Sequence, residues 1–361
     1  MRTLLRVLKV VAINVVVFGT LFALLEGAAS LLFIGNQVRR ATGLRERQHS
    51  TYDESIGWVS LPNVNLPNLY GPGVFLRTNG QGFRADHDIA KEVPAGKTRI
   101  LCSGDSFTLG FGVSNDEAWC HRLGALDPRL ETVNLGQGGY GLDQAYLWYK
   151  RAGAPLDHQV QLLSFITDDF RRMQSDRFLG YGKPLLGMRG DSVLQLNKPV
   201  PQTSAFSRWK ATQDHAIGNL NVVRLYNRVF HRDEQGPPAD TIKARDDASR
   251  RIAAGIFADL ARVNREKKSQ LVLVYLPGQS DYKTNGPAAE WRRFVAEEAA
   301  KQGVVFIDLI ETIRHVPPTE LDDFYLPDSH YSVAGNAWVA EAVYKELARV
   351  LNLTPPPAAT P

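Results

Sequence analysis

Five short apolar runs constrain the fold of this chain more than any other feature: Thr98 to Ser103, Glu131 to Leu135, Val160 to Ile166, Gln270 to Leu276 and Val304 to Leu309. Each has the length of a strand, and their apolar character suits strands buried on both faces. Between several of them the apolar residues recur at helical spacing, in Asp143 to Arg151, Thr241 to Lys267 and Ala288 to Gln302. Strands alternating with helices predict a parallel sheet covered on both sides. The third and fourth runs are separated by about 100 residues, far more than a simple crossover needs, so an insertion lies between them. Within it "KPLLGMRGDSVLQLNKPVP" reads as a hairpin turning at Gly190 and Asp191. No internal repeat is visible.

The organisation follows from these runs and from what flanks them. Val10 to Ile34 is a 25-residue stretch whose strongly polar members are Asn14 and Glu26, with Arg2, Arg6 and Lys9 before it and Arg39 and Arg40 after. A membrane span needs about 20 residues, whereas the apolar core of a cleaved signal peptide usually has about 7 to 15. The first 40 residues are therefore expected to be an uncleaved single-span anchor, a cleaved leader being the rival reading. Bases on both sides leave the positive-inside rule with little to say about orientation. Glu26 would be costly within a span unless it lay near the outer interface or paired in an assembly. Residues 48–95, rich in Pro, Asn and Gly, read as an irregular prelude of short strands and turns. Residues 96–352 form the α/β domain, with the insertion at about 171–240, and 353–361 form a disordered tail.

The formal charge of +4 suggests a basic protein, yet residues 1–47 hold seven bases and two acids, leaving 35 bases and 36 acids for the remainder. The globular part is not basic, and no nucleic-acid partner is implied. Cys102 and Cys120 are too few for a disulfide framework and wrongly spaced for zinc. One bridge outside the cytoplasm is conceivable for them, but two buried thiols are the favoured reading. The eight histidines are scattered without an HExxH or Cys/His cluster, so neither metal nor other cofactor is expected.

Three stretches carry chemistry, each just past a strand-like run, where open parallel sheets bind their ligands. In "RILCSGDSFTLGFGV", Ser106 follows the first run and starts a helical stretch. Backbone N–H groups there favour a developing oxyanion. A helix cap with a glycine turn accounts for "GDS" alone equally well. In "FYLPDSHYSVAGN", Asp328 and His330 are two residues apart, so a carboxylate can orient an imidazole that takes the proton of Ser106. Asp157–His158 and Asp214–His215 offer similar neighbours without a strand end before them. In "VNLGQGGYGLDQ", Gly136, Gly138 and Gly141 match GxGxxG, but not in the first strand–helix unit, where a dinucleotide site belongs. The alternative is a loop whose glycine N–H approaches the oxygen reacting at Ser106.

Nucleophile, glycine donor and acid–base pair at three strand ends are more specific together than apart. With these blocks in this order, the chain resembles the GDSL or SGNH hydrolases over residues 50 to 350. The prelude "GWVSLPN…TNGQGFR" is similar to that of membrane-anchored bacterial members. The resemblance implies a three-layer α/β/α domain of flavodoxin-like order. It also implies Ser106 as nucleophile, His330 as general base and Asp328 as its orienter, with an oxyanion hole from the backbone N–H groups of Ser106 and Gly139. The acid and histidine are spaced DxH rather than DxxH, as in anchored and polysaccharide-modifying relatives. Where the family has its oxyanion asparagine, "FITDDF" puts Asp168, followed by Asp169. An ionised carboxylate donates no hydrogen bond and repels an oxyanion. Three readings stay open: burial keeps Asp168 protonated, the two backbone donors suffice, or the site is no longer hydrolytic.

The implied activity is that of a serine esterase acting through an acyl-Ser106 intermediate on O-acyl, foremost acetyl, esters of envelope or secreted polysaccharide. Its catalytic domain is expected outside the inner (cytoplasmic) membrane, with envelope assembly proteins as potential partners. An O-acetyltransferase using the same site and a non-catalytic assembly or glycan-binding protein are the alternatives. Phe170, Arg171, Arg172, Phe178 and Tyr181, after the third block, are candidates for a substrate cleft or else for insertion packing and a solvated face.

Overall fold

The computed structural model describes residues 2–39, 48–178, 180–204, 206, 239–281 and 288–353. The chain divides into two units, residues 1–48 with 204–236, and residues 49–203 with 237–361. In the first, α1 (Arg2–Arg39) is a single helix whose described side chains from Arg6 to Phe22 are exposed. Two polar side chains there bond to their own helix backbone, Asn14 to the Val10 carbonyl and Thr20 to that of Val16, both at 2.8 Å. Among the described residues no helix is long and apolar enough to cross a membrane. The expected span, Val10 to Ile34, continues into positions whose side chains lie outside the described ones. The tail from residue 354 and the Asp214–His215 pair also lie outside the described residues.

The second unit opens with the prelude, which forms two antiparallel hairpins, β1 (Ser50–Asp53) with β2 (Gly57–Ser60) and β3 (Asn65–Gly71) with β4 (Val74–Arg77). Next come β5 (Thr98–Ser103), the one-turn helix α2 (Ser106–Leu109), α3 (Trp119–Ala125), β6 (Leu130–Asn134), α4 (Leu142–Trp148), β7 (Val160–Phe165) and α5 (Thr167–Arg172). The insertion contributes β8 (Arg177–Phe178) with β9 (Tyr181–Gly182), and β10 (Leu186–Arg189) with β11 (Ser192–Gln195). The second of these hairpins turns at Gly190 and Asp191, as expected. The chain then completes the domain with α6 (Ala239–Lys267), β12 (Gln270–Tyr275), α7 (Ala288–Gln302), β13 (Val305–Asp308), α8 (Leu309–Ile313), α9 (Pro318–Leu321) and α10 (Val333–Val350).

Five strands form one parallel sheet in the order β13-β12-β7-β5-β6. All five were legible as apolar runs, with ends differing by a residue or so. Because successive side chains of a strand point to opposite faces, β5, β7 and β12 each feed two cores. Leu101, Leu163 and Leu273 join the cluster that holds Tyr149 of the turn after α4, Phe257 of α6 and Trp291 of α7. Ile100, Leu162 and Val272 join the one that holds Trp119 of α3, Ile310's neighbour Leu309 of α8, and Val343 of α10. The layers are therefore α/β/α. The prelude belongs to the first cluster through Ile56, Trp58 and Phe83, so it is part of the domain's packing rather than a loose leader.

The helix expected to start at Ser106 is a single turn, ended by Gly110 in the left-handed region at φ 85°. Only the first turn's N–H groups, not a long macrodipole, can act there. The two cysteines are not thiols: Cys102 on β5 and Cys120 on α3 form a disulfide within the second cluster. The bridge spans a sequence separation of 18. Closing a loop of that size is worth about 3 kcal/mol in the chain-entropy model. Reduction, or the double substitution Cys102→Ala and Cys120→Ala, is expected to lower the unfolding free energy in denaturant titrations by about that amount. Coincident titrations of oxidised and reduced protein would remove the bridge from the stability account.

Candidate active site

Parallel strands deliver all their carboxyl ends to one edge of the sheet. The chain runs from β5 outward to β6 on one side and then continues with β7 on the other, so the connections diverge between β5 and β7. Ligands bind at such a switch point. Ser106 follows β5 there, after Gly104, whose position admits no side chain. A Cβ would sit 2.6 Å from the Ser164 carbonyl oxygen and collide with the Thr108 hydroxyl. Buried Asp105 caps the turn by accepting from the Phe107 N–H at 2.9 Å. The cap reading and the nucleophile reading of "GDS" thus divide between two residues, Asp105 holding the turn on which Ser106 sits. At the other end Arg84, from the prelude, donates to the carbonyls of Leu109 and Gly110, both at 2.6 Å, and Val113, at 2.5 Å. Trp119 adds its indole N–H to the Phe107 carbonyl at 3.0 Å.

The histidine arrives from the far end of the sequence. Leu326 N–H bonds to the His330 carbonyl at 2.7 Å, and Ser329 takes φ 70°, which closes a tight loop. Tyr325 and Tyr331 flank it and both donate to the Pro277 carbonyl past β12, at 3.0 and 2.8 Å. His330 Nε2 lies 2.9 Å from Ser106 Oγ. Its Nδ1 lies 3.3 Å from Asp328 Oδ1. With Nδ1 protonated towards the carboxylate, Nε2 presents its lone pair to the serine hydroxyl. Three residues chosen from sequence therefore stand in one line.

Their environments differ. The Asp328 side chain is 43% exposed and that of His330 15%. At 3.3 Å the carboxylate contact is longer than the usual 2.9–3.0 Å of an N–H···O bond. The imidazole also packs against two rings of the nucleophile's own segment, Phe111 at 4.4 Å and Phe107 at 5.0 Å between centroids. These phenylalanines, which sequence reading passed over, help to hold the ring where water competes for Asp328.

The glycine loop after β6 is stitched to the nucleophile loop by Leu135 N–H to the Cys102 carbonyl and Gln137 N–H to the Gly104 carbonyl, at 2.8 and 3.2 Å. Gly136 abuts the Leu109 backbone, so this glycine serves packing on α2 rather than a dinucleotide. The prelude fixes the rest: Trp58 donates its indole N–H to the Gly138 carbonyl at 3.0 Å, and Ser60 its hydroxyl to Gln137 at 2.8 Å. Tyr140 returns its hydroxyl to the Trp58 carbonyl at 2.5 Å. Gly139 takes φ 72°, and a Cβ there would stand 2.9 Å from the Phe178 ring. Gly139→Ala is expected to lower turnover at least about tenfold through displacement of this loop, since one oxyanion donor is worth about 10² to 10³ in rate. Steady-state kinetics on a short acyl ester would check it, and unchanged kcat would exclude the Gly139 N–H from the reacting centre.

The acidic pair past β7 divides unexpectedly. The Asp168 side chain is 58% exposed and lies 3.5 Å from Arg171. Asp169 is buried and accepts from the Ile166 N–H at 3.0 Å, capping α5. The burial that one of the three open readings required of Asp168 thus falls on its neighbour, whose carboxyl is pushed well above the usual range by desolvation and then by nearby Asp105. Asp168→Asn, which removes an exposed negative charge, is expected to preserve or raise turnover. A hundredfold loss in the same kinetic assay would instead give the carboxylate a role of its own.

The cleft candidates separate too. Phe170 is core, stacked on Trp291 at 4.2 Å, and Tyr181 packs on Trp58 at 5.1 Å. Arg172 is 85% buried by its side chain, which is only 15% exposed, whereas Arg171 is 54% exposed. His158 is a core residue, near the Tyr149 hydroxyl at 3.0 Å and the Leu156 carbonyl at 2.8 Å, with burial holding its pKa below the ordinary value. Among the described residues no group of three His, Cys, Asp or Glu could hold a metal.

No family model matches the chain, and no curated protein matches it. Solved structures do. A lipolytic protein of the G-D-S-L family from Veillonella parvula is 13% identical, with 70% of this chain and 99% of that one covered and a TM-score of 0.38. The lipase/acylhydrolase from Enterococcus faecalis is 14% identical, with 72% and 100% covered and a TM-score of 0.38. Axe2, an acetylxylan esterase from Geobacillus stearothermophilus, is 11% identical, with 74% and 100% covered and a TM-score of 0.39. At such identities a functional reading of this chain has to rest on the geometry of its own site.

Proposed function

We propose that the protein is a serine esterase whose nucleophile is Ser106. The observation that carries this reading is the 2.9 Å contact between Ser106 Oγ and His330 Nε2 at the switch point of the sheet. In the proposed reaction Ser106 Oγ attacks the ester carbonyl carbon while its proton passes to His330 Nε2. The oxyanion forms beside the backbone N–H groups of Ser106 and Gly139. Collapse expels the alcohol, which takes the proton from His330 and leaves acyl-Ser106. Water then attacks the acyl carbon, gives a proton to His330 and releases the carboxylic acid as Ser106 is reprotonated. A sugar hydroxyl in place of that water would turn hydrolysis into O-acyl transfer.

The substrate class we propose is O-acyl, foremost acetyl, esters of envelope or secreted polysaccharide, worked on outside the cytoplasmic membrane. Two observations support that compartment. Disulfides such as Cys102–Cys120 persist in oxidising surroundings. Along α1 the apolar side chains of Val10, Ile13, Val16, Phe18 and Phe22 are each more than half exposed, a surface suited to lipid. Attachment of the chain through residues 10–34 belongs to the same proposal, and so do envelope assembly partners.

The full chain in detergent, given a short-chain acyl chromogenic ester, is expected to turn it over, and Ser106→Ala to lower kcat about 10⁴-fold or more. Adding an oligosaccharide acceptor separates the outcomes: acyl groups recovered on the sugar would make the protein a transferase. Equal rates for the wild type and Ser106→Ala would refute the serine mechanism.

A further inference from the structure

Arg172 sits at the last position of α5, and a single atom of its guanidinium meets groups from the segments that follow β5, β6 and β7. Nη1 lies 3.1 Å from Asp105 Oδ2, beside the nucleophile. It lies 2.8 Å from the Tyr140 carbonyl, the residue after Gly139. It also lies 2.8 Å from Asp169 Oδ1, next to Asp168. Nη1 carries two hydrogens and meets three acceptors, so at least one hydrogen is shared. The Phe178 ring covers the guanidinium at 4.9 Å, and that same ring blocks any side chain at Gly139. Asp105 and Asp169 are almost fully buried, with side chains 1% and 2% exposed.

We infer that Arg172 is a positioning residue that holds the nucleophile loop, the glycine loop and the start of α5 in register with one another. The inference deepens the serine-esterase reading and rests on it for its kinetic consequence. The three segments leave three different strands, and among the described residues backbone bonds join two of them near the reacting centre, through Gln137 to Gly104. The arginine supplies the link to the third. Its geometry also explains the choice of residue. Two buried carboxylates pointing at one spot repel each other, and a cation between them removes that repulsion while its hydrogens fix direction. Buried ion clusters of this kind add little net stability over apolar packing, but removing one member leaves uncompensated charge. What the cluster provides is a defined arrangement of Asp105, and through it of Ser106, relative to Gly139. Other charged groups face it, Asp168 and Arg171 on α5 and the Lys183–Asp143 pair, whose Nζ to Oδ1 distance is 3.1 Å. None of these reaches all three loops.

The test compares wild type, Arg172→Lys and Arg172→Gln as full chains in detergent, well below their melting temperatures. Two measurements are made: steady-state kinetics on the acyl ester, and amide hydrogen exchange over residues 104–110, 136–141 and 166–170. Arg172→Lys retains the charge and puts three hydrogens on one nitrogen, though on a shorter reach. We expect kcat to fall about three- to tenfold in Arg172→Lys and at least thirtyfold in Arg172→Gln, with KM within about twofold of wild type. Protection from exchange is expected to fall in all three segments together, in the same order. A residue that merely stabilises the domain would lower the melting temperature and leave kcat per folded molecule and this exchange pattern unchanged, which would overturn the inference. Should Arg172→Gln not fold, Arg172→Lys decides alone, because loss of protection in one segment only, or in none, also overturns it. If the wild type itself turns over no ester, the esterase reading fails. The exchange pattern then still decides whether Arg172 couples the loops.

Discussion

Burial of both faces of the five-stranded sheet is the constraint from which the other features of the domain follow. Strands hidden on two sides are predominantly apolar, and β7, from Val160 to Phe165, is buried throughout. Strands that run parallel must be joined by crossovers, so helices cover both faces and the carboxyl ends gather at one edge. The location of the site is a consequence of this topology. Ser106, Gly139 and Asp168 each follow a strand of the sheet, and His330 follows the last of them by way of α8 and α9. Ser106 and His330, 224 residues apart in the chain, meet at 2.9 Å at this edge.

Apolar packing places the loops, and a smaller set of buried polar groups gives them their final shape. Arg84 satisfies carbonyls that the short α2 leaves open, Asp105 and Asp169 cap the turns after β5 and β7, and Arg172 lies between the two carboxylates. Each group would be costly if unpaired away from water, so the arrangements that satisfy all of them are few. Lys183 with Asp143 follows the same logic between the insertion and α4, burial lowering the pKa of the lysine while the aspartate opposes that shift. The prelude enters this scheme as well. Trp58, Ser60 and Arg84 bond to the glycine loop and the nucleophile turn, which makes residues 49–95 part of the site's support.

The base is held in a different manner from the nucleophile. Asp328 is half open to water and its contact with His330 is long, whereas Phe107 and Phe111 pack on the imidazole from the segment that bears Ser106. Ring packing restrains the imidazole plane without supplying charge, and the carboxylate selects the tautomer. The division ties base and nucleophile to one another directly, since the rings that restrain His330 move with the turn that carries Ser106.

All five sheet strands, two long helices and the hairpin at Gly190 were legible because burial and periodicity are local properties of the sequence. Ser106, Asp328 and His330 were legible because each stands in a short motif past a strand end. Other features were not. Arg172 looked like part of a cleft or a solvated face, since one arginine in a charged stretch carries no sign of the Asp105 and Tyr140 groups that meet it 67 and 32 residues away. The division of Asp168 from Asp169 into exposed and buried was equally hidden, because α5 turns one outward and the other onto Arg172. For Cys102 and Cys120 a bridge was the less favoured reading, since two cysteines 18 residues apart carry no sign that β5 and α3 bring them together. By itself the sequence determined where strands end and which residue types stand there, since these depend on neighbours along the chain. Tertiary structure alone decided which of those residues meet, which carboxylate is deprived of water and which rings hold the base, because distance and desolvation are properties of the assembled fold.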